Sequence, residues 1–398
     1  MTWPLAFRMV YDVILERDLR NFGEGLERDG AAVATLFIEE KLVVDLWGGY
    51  ADREANVVWK RNTRTVLFSA TKAISALCIA ILVDRGLLRY EDRLVEFWPE
   101  YGCYGKENTT VEDVLSHKAG LPYLNEEIDL LDVMDFELIR KKIERSRPIW
   151  APGTASGYHA VTFGFLVDGI VRHVDEKQRN LKTFFLEEIA QPHGLSVDIG
   201  VRKEEAHCVA RVTTPSFWEF LRDCIKNPKM IAMLGYGGQY VHVDPANQLV
   251  LAYLANGLKT GSGELCTTYM RLLRATYNAL QGRRGGMGCH KMNVSHLHYW
   301  LGREHEAQIQ LPSRGDTVAV NDPEVLALPM PAVTGVSSAP DLSRLFSLAL
   351  DGTILSNGTL ETISYPTLDS WHLEKVTLWP VRKGYGFFYE RNPIVPVS

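Results

Sequence analysis

Ser69 and Lys72 form the first candidate catalytic pair, in the tetrapeptide Ser-Ala-Thr-Lys. A β-like segment gives way there to an apolar run that extends to Val83, which predicts a buried helix from Ala70 onward. Three residues are nearly one helical turn, so the lysine amine would lie on the same face as the serine hydroxyl. A lysine held partly away from water loses some preference for its charged form and can accept the serine proton. The spacing therefore indicates a nucleophile beside its base.

The Ser-x-x-Lys spacing alone also has a chance explanation. A chain of this length and average composition contains roughly one or two such matches, with surface serine and lysine as the alternative. The glycines of Gly235–Gly238 do not follow a strand and open a helix as a phosphate loop does, so nucleotide binding is not expected. His117 is better explained as a structural histidine near the site than as a general base, and His159 and His242 receive no role. A loose Cys/His cluster fits no standard zinc spacing; it comprises Cys289, His290, His296, His298 and His305.

The composition excludes several classes of protein. The 398 residues include 43 basic and 49 acidic side chains, for a net charge of −6, and 46% are hydrophobic. That apolar content suffices for one large or two medium cores and argues against disorder. The most apolar stretch, Ala73–Val83, is shorter than the roughly 18 residues of a membrane span, so no spanning segment is expected. Neither the net charge nor any long Lys/Arg run gives a reason to bind nucleic acid.

The six cysteines are scattered along the chain without Cys-x-x-Cys pairs. This distribution favours buried free thiols in a reducing compartment over a disulfide scaffold or a zinc ribbon. The N-terminal run is interrupted by Arg8 and Asp12 and has no small-residue cleavage site, so it is a poor secretory signal. We therefore expect a cytoplasmic location.

Two hairpins and several helices are predicted to position the candidate residues. Alternating apolar residues predict one hairpin over 32–49 and a second over 234–257, the latter turning at Asp244–Asn247. Residues 87–232 read as mostly helical, and strands are hard to find there. Helical periodicity is found over 70–83, 110–117, 161–174, 184–190, 266–280 and 341–350, with an N-cap-like Ser338 before the last. The runs KVTLWPV (375–381) and GYGFFYE (384–390) have β character.

Four longer runs surround or follow the serine: FSATK, DRGLLRYEDRLVEFWPEY, TVEDVLSHKAGLPY and WAPGTASGYHAVTFGFLVDGIV. Together they resemble the serine β-lactamase and penicillin-binding-protein superfamily, in its class C-like, esterase and eukaryotic branches. The resemblance implies an α+β fold, with an antiparallel sheet flanked by helices and packed against a mainly helical region. It further implies that Ser69 is acylated, that Tyr158 assists proton transfer, and that a Lys/His-x-Gly strand closes the site. It leaves a mitochondrial location open.

Two residues depart from the family pattern. Ala160 stands where β-lactamases carry an asparagine, which removes an amide that would hold a substrate carbonyl and the lysine. Met233 stands at the first position of the Lys/His-x-Gly element, followed by Leu234 and Gly235, and cannot donate a hydrogen bond to a substrate carboxylate. The oxyanion hole needs only backbone, and by resemblance would be formed by the N–H groups of Ser69 and Tyr236. Tyr158 also has a non-catalytic explanation, as a tyrosine packed at a helix start.

The order of segments departs from the family as well. The stretch that resembles residues 321–398 precedes the 234–257 hairpin in the family and follows it here. We predict four regions: 1–68 with 233–281 for the sheet and terminal helices, 69–232 for the helical region, 282–320 for an irregular insert, and 321–398 for the displaced segment. Two explanations stay open, a genuine permutation and a misassembled gene model whose middle is not authentic coding sequence.

The sequence thus predicts a serine hydrolase that acts through an acyl-enzyme on an ester or small amide, without metal or organic cofactor. The alternative is a non-catalytic descendant that serves as a binding or assembly module. Ala160 and Met233 favour that alternative, whereas the retained Ser69, Lys72 and Tyr158 oppose it. Hydrolysis of β-lactams or peptides is the weakest interpretation, because the two lost side chains are those that would grip such substrates.

Overall fold

A computed structural model describes residues 21–22, 27, 29–37, 41–216, 236–260, 266–280, 318–368, 374–376 and 382–389. The strands in these ranges are β1 (Gly30–Phe37), β2 (Lys41–Asp52), β3 (Val57–Val58), β4 (Thr65–Val66), β5 (Val197–Ile199), β6 (Tyr236–Gly237), β7 (Tyr240–Asp244), β8 (Leu249–Ala255), β9 (Lys259–Thr260), β10 (Gly335–Ser337), β11 (Arg382–Gly384) and β12 (Phe387–Tyr389). The helices are α1 (Thr71–Asp84), α2 (Val111–Leu115), α3 (Phe136–Arg145), α4 (Thr162–Val174), α5 (Leu181–Phe185), α6 (Thr267–Leu280), α7 (Pro323–Ala327), α8 (Ala339–Leu350) and α9 (Asn357–Ile363).

The largest sheet contains both predicted hairpins. Its strand order is β3-β2-β1-β8-β7, and all neighbours are antiparallel. The turn between β7 and β8 is closed by the Asn247 N–H, which donates to the Asp244 carboxylate at 3.1 Å. Both hairpin predictions are confirmed, because strand alternation and a turn sequence are local signals that the surrounding fold reinforces.

Helices cover both faces of this sheet. Side chains on β8 alternate between two apolar clusters: Leu251 and Tyr253 pack with residues of α6, whereas Ala252 and Leu254 pack with residues of α8. Every residue of β8 is therefore buried. This arrangement of sheet and helices, beside the mainly helical part that contains α1 to α5, confirms the α+β fold.

Helix α1 is the central element of the helical part. Its side chains are buried on almost every side, from Thr71 through Leu82, and it packs against α4, α5 and α9. The prediction of a buried helix over 70–83 is confirmed. None of the helices in the described part of the chain combines the length and hydropathy that a bilayer crossing requires.

A small three-stranded sheet brings the C-terminal segment next to α1. Its order is β4-β10-β5, so β10 lies between two strands of the N-terminal half. The Leu67 N–H donates to the Gly335 carbonyl at 2.7 Å. A Cβ on Gly335 would lie 2.4 Å from the Thr71 hydroxyl oxygen, so only glycine lets β10 approach α1 this closely. Strand β5 lies in the region predicted as mostly helical, where strands are hard to find from the sequence.

Several predicted boundaries also change. The 110–117 helix ends at Leu115, and the 184–190 helix is α5 followed by a π-helical turn over Leu186–Ala190. The β character predicted for GYGFFYE is confirmed by Gly384 of β11 and by β12, and Tyr385 and Gly386 form the turn between these strands. Lys375 and Val376 lie in a turn, whereas residues 377–381 lie outside the described residues.

The remaining predictions have mixed outcomes. Ser338 caps α8 as predicted, because its hydroxyl accepts from the Asp341 N–H at 3.2 Å. Cys78 and Cys266 are buried, but Cys103 and Cys208 are exposed, so the expectation of buried thiols is wrong for those two. Residues 281–317, with the Cys/His cluster, lie outside the described residues. The four-region division stays a prediction.

Candidate active site

A strained turn presents Ser69 to solvent. The chain leaves β4, passes through a 3₁₀ turn at Phe68–Ala70 and enters α1. Phe68 has φ +46°, a left-handed conformation that costs a bulky residue about 1–3 kcal/mol. The Leu67 bond to β10 holds one side of the turn, and the Ala70 N–H donates to the Leu67 carbonyl at 3.1 Å. The result is an exposed serine side chain at the start of a buried helix.

Lys72 lies one turn further along and is buried, with 4% of its surface exposed. Its Nζ is 3.3 Å from the Ser69 Oγ and donates to the Ala332 carbonyl at 3.1 Å. The same nitrogen lies 4.9 Å from the centre of the Tyr158 ring. A carbonyl and an aromatic face thus hold the amine beside the serine, as the Ser-x-x-Lys spacing predicts.

Tyr158 completes the group of three. Its hydroxyl donates to the Ser69 Oγ at 2.7 Å. The ring is half-buried and lies just before α4. The structure therefore brings Ser69, Lys72 and Tyr158 together, although they come from two distant parts of the chain.

Two buried histidines hold the loop that carries Tyr158. The Nε2 of His159 accepts from the Leu121 N–H at 3.0 Å, so the ring proton is on Nδ1, which donates to the Gly157 carbonyl at 2.6 Å. The Nδ1 of His117 accepts from the His159 N–H at 3.1 Å, and the His117 ring lies 5.0 Å from that of Tyr158. Burial lowers the pKa of His159 to about 3 and lowers that of His117 well below its usual value. Both imidazole rings are therefore neutral at physiological pH, and their role here is to hold the loop in place.

A buried ion pair lies beside the same loop and was not predicted. Lys383 on β11 and Glu374 are 2% and 1% exposed, and the lysine Nζ is 3.2 Å from the Glu374 Oε1. The Nζ also donates to the Ser156 hydroxyl at 3.1 Å, two residues before Tyr158. Burial lowers the pKa of Lys383, and Glu374 opposes that shift. No local pattern marks these residues, because the pairing depends on a fold that brings them to residue 156.

Phe388 on β12 also reaches the site and was not predicted as part of it. Its ring centre is 6.2 Å from that of Tyr158 and 6.0 Å from that of His117. The ring remains 53% exposed. The β-like run around it is the only signal the sequence offers, and that signal says nothing about which site the strand reaches.

Only some of the remaining predicted residues lie among those that the structure describes. Ala160 is half-buried and offers no side-chain hydrogen bond at its place after Tyr158. Met233 and Gly235 lie outside the described residues. The backbone of Tyr236 is part of β6, which pairs with β9. The oxyanion hole of Ser69 and Tyr236 N–H groups stays a prediction.

His242 belongs to a different part of the fold. It lies on β7, where its Nε2 is 2.8 Å from the hydroxyl oxygen of Tyr277 in α6. Tyr277 in turn donates to the Asp244 carboxylate. Burial lowers the pKa of His242. These bonds join the sheet to α6 and give His242 a structural environment.

Comparison with known proteins finds a matching family and similar chains. The family model described as Beta-lactamase matches residues 15–232, which is more than half of the chain. The esterase/beta-lactamase LipL of Mycobacterium tuberculosis is 38% identical over 165 residues, which cover 42% of this chain and 38% of that protein. The chain spans less than two fifths of the length of the curated relatives it matches.

Solved structures share the fold over most of the chain. A penicillin-binding protein homologue from Caulobacter crescentus is 28% identical and superimposes with a TM-score of 0.66, covering 98% of this chain and 82% of that one. A family VIII carboxylesterase has a TM-score of 0.59 at 24% identity, covering 68% of this chain and 97% of that one. The first superposition extends over nearly the whole chain, and the second supports the same fold.

Proposed function

Because the chain belongs to the Beta-lactamase family, we propose that it is a serine hydrolase that cleaves an ester or small amide through an acyl-enzyme on Ser69. One observation carries this proposal. The Ser69 Oγ lies within hydrogen-bond reach of both the Lys72 amine and the Tyr158 hydroxyl. A nucleophile with two proton-transfer partners, on a strained turn that exposes it, is the arrangement that acyl transfer needs.

The steps follow from these three groups. Lys72, in its neutral form, accepts the Ser69 proton as the serine oxygen attacks the substrate carbonyl. When the tetrahedral intermediate collapses, Tyr158 gives its proton to the leaving alcohol or amine and recovers one from the Lys72 ammonium. A water molecule then attacks the acyl-enzyme, the Lys72–Tyr158 pair takes its proton and returns one to Ser69, and the acid leaves. The N–H groups of Ser69 and Tyr236 would hold the oxyanion.

An ester is favoured over a β-lactam as substrate. Ala160 lacks the side-chain amide that would hold a second carbonyl of the substrate. The site therefore offers fewer hydrogen bonds to a substrate that contains several amides. An activated ester needs less such help, because its alcohol leaves more readily than an amine. The name of LipL gives both esterase and beta-lactamase, whereas the carboxylesterase is named for ester cleavage alone. The comparisons lend no support to a non-catalytic module.

Active-site labelling tests the proposal. Purified protein is treated with a fluorophosphonate and its intact mass is measured; we expect one adduct, which peptide mapping places on Ser69. Ser69→Ala should lose the adduct and Lys72→Ala should form it far more slowly. Ser364→Ala is the matched control, because this half-buried serine lies at the end of α9 and donates to the nearby Leu360 carbonyl. A folded wild-type protein that forms no adduct would refute the serine hydrolase.

A further inference from the structure

The β11–β12 hairpin carries two side chains that face the candidate active site. Lys383 and Phe388 are direct cross-strand partners, and cross-strand partners project from the same face of a hairpin. The Lys383 Nζ lies 5.7 Å from the centre of the Phe388 ring. The lysine is buried by its contacts with Glu374 and Ser156. Phe388 is the member of the pair that remains accessible.

Phe388 combines a fixed position with an open face. Its ring is stacked on that of His117 with an interplanar angle of 19° and is tilted 38° from that of Tyr158. An exposed phenyl ring that is held by neighbours, rather than free at the surface, keeps apolar area in contact with water next to the nucleophile. Exposed apolar area beside polar catalytic groups is typical of a ligand contact.

The chemistry of Tyr158 indicates which part of a substrate meets this ring. In the proposed function, on which this inference rests, Tyr158 gives its proton to the leaving oxygen. The group attached to that oxygen therefore emerges on the Tyr158 side of Ser69, where Phe388 lies. We propose that Phe388 is a specificity-determining residue that contacts the leaving alcohol and favours esters of aryl and other apolar alcohols.

The surroundings of the ring agree with an apolar alcohol. His117 behind it is neutral, and the Lys383 charge is already engaged by Glu374. A charged alcohol would therefore find no free partner among these neighbours. An aromatic alcohol could stack on the open face, which is a favourable contact beyond the burial of area alone.

Acyl-enzyme kinetics separate the alcohol from the acid. Esters of one acid give the same acyl-enzyme, so a contact with the alcohol affects its formation and appears in kcat/KM. It has no effect on deacylation, since the alcohol has already left. An acyl contact would change both steps.

The test compares Phe388→Ala with wild type on three esters. Phenyl acetate and trifluoroethyl acetate share the acid, whereas phenyl acetate and phenyl butyrate share the alcohol. We expect kcat/KM for phenyl acetate to fall about five- to tenfold relative to trifluoroethyl acetate, the size of one lost aromatic contact. The acetate-to-butyrate ratio and the deacylation rate should stay unchanged. Phe388→Tyr, which keeps the ring, should retain the wild-type preference.

Controls distinguish this inference from the proposed function. Trp47→Ala removes another partly exposed aromatic side chain, 42% exposed and on β2 of the large sheet, and should leave all ratios unchanged. Equal losses on both acetates, or a changed acetate-to-butyrate ratio, would overturn the role of Phe388 while fluorophosphonate labelling of Ser69 persists. A wild-type protein that neither labels nor hydrolyses any of the esters would overturn both proposals.

Discussion

The buried pair of Lys383 and Glu374 provides a quantitative test of how the C-terminal hairpin is held. The two side chains are 2% and 1% exposed, with 3.2 Å between the lysine Nζ and the Glu374 Oε1. Lys383→Met keeps most of the side-chain volume and removes the charge. Because the buried Glu374 would then lose the Lys383 ammonium, we expect the free energy of unfolding to fall by about 3–5 kcal/mol.

A double-mutant cycle measures the pair directly. Lys383→Met, Glu374→Gln and the double variant are unfolded with urea at pH 7.5, and the free energies of unfolding are compared. The double variant should lose less than the sum of the two single losses, by about 3 kcal/mol, because the second substitution removes the carboxylate charge that the Lys383 ammonium no longer balances after the first. Additive losses would refute the reasoning. Arg93→Met, in an exposed pair with Glu96, is the control and should have little effect.

Two further predictions concern acid stability and thiol reactivity. The pKa of His159 is lowered to about 3 and that of His117 is lowered well below 6.5, so the unfolded chain binds protons that the folded one does not. The contribution of these two histidines to stability is therefore present above pH 6.5 and is lost progressively as the pH falls below it. Urea unfolding at pH 5 should give a free energy of unfolding lower by about 4 kcal/mol than at pH 7.5, and His159→Gln should halve that loss. A thiol reagent should modify Cys103 and Cys208 in the folded protein but Cys78 only after unfolding, since burial raises the pKa of the Cys78 thiol; equal rates at all three sites would contradict the fold.

The sequence predicted the parts of the site whose signals are local. The Ser69–Lys72 relationship depends on one helical turn, and the hairpins depend on alternation and turn residues, so each is encoded within a short window. The role of Tyr158 is predicted from the family resemblance, which extends over a longer stretch of sequence. Its contact with Ser69 at 2.7 Å depends on α1 and the 151–160 loop meeting in space.

The unpredicted parts depend on distant partners. Strands β5 and β10 are three residues long, too short to show periodicity, and their pairing is decided by which edges the surrounding helices leave available. The Lys383–Glu374 pair likewise cannot be predicted from a short stretch of sequence, because such a stretch does not show whether a lysine is buried or exposed. The β5–β10 pairing and the Lys383–Glu374 pair form only when the folded core brings their partners together.

The segment order can be judged against the contacts that the C-terminal segment makes. Lys72 donates to the Ala332 carbonyl, β10 is inserted between β4 and β5, and Phe388 packs against Tyr158. Hydrogen bonds and apolar burial depend on where residues lie, not on their order, provided that the connections can reach, and longer connections cost little additional loop entropy. Under either explanation, a permutation or a misassembled gene model, the segment that contains Ala332 and Phe388 therefore belongs to the same folded unit as Ser69. The candidate active site is thus a product of both ends of the chain.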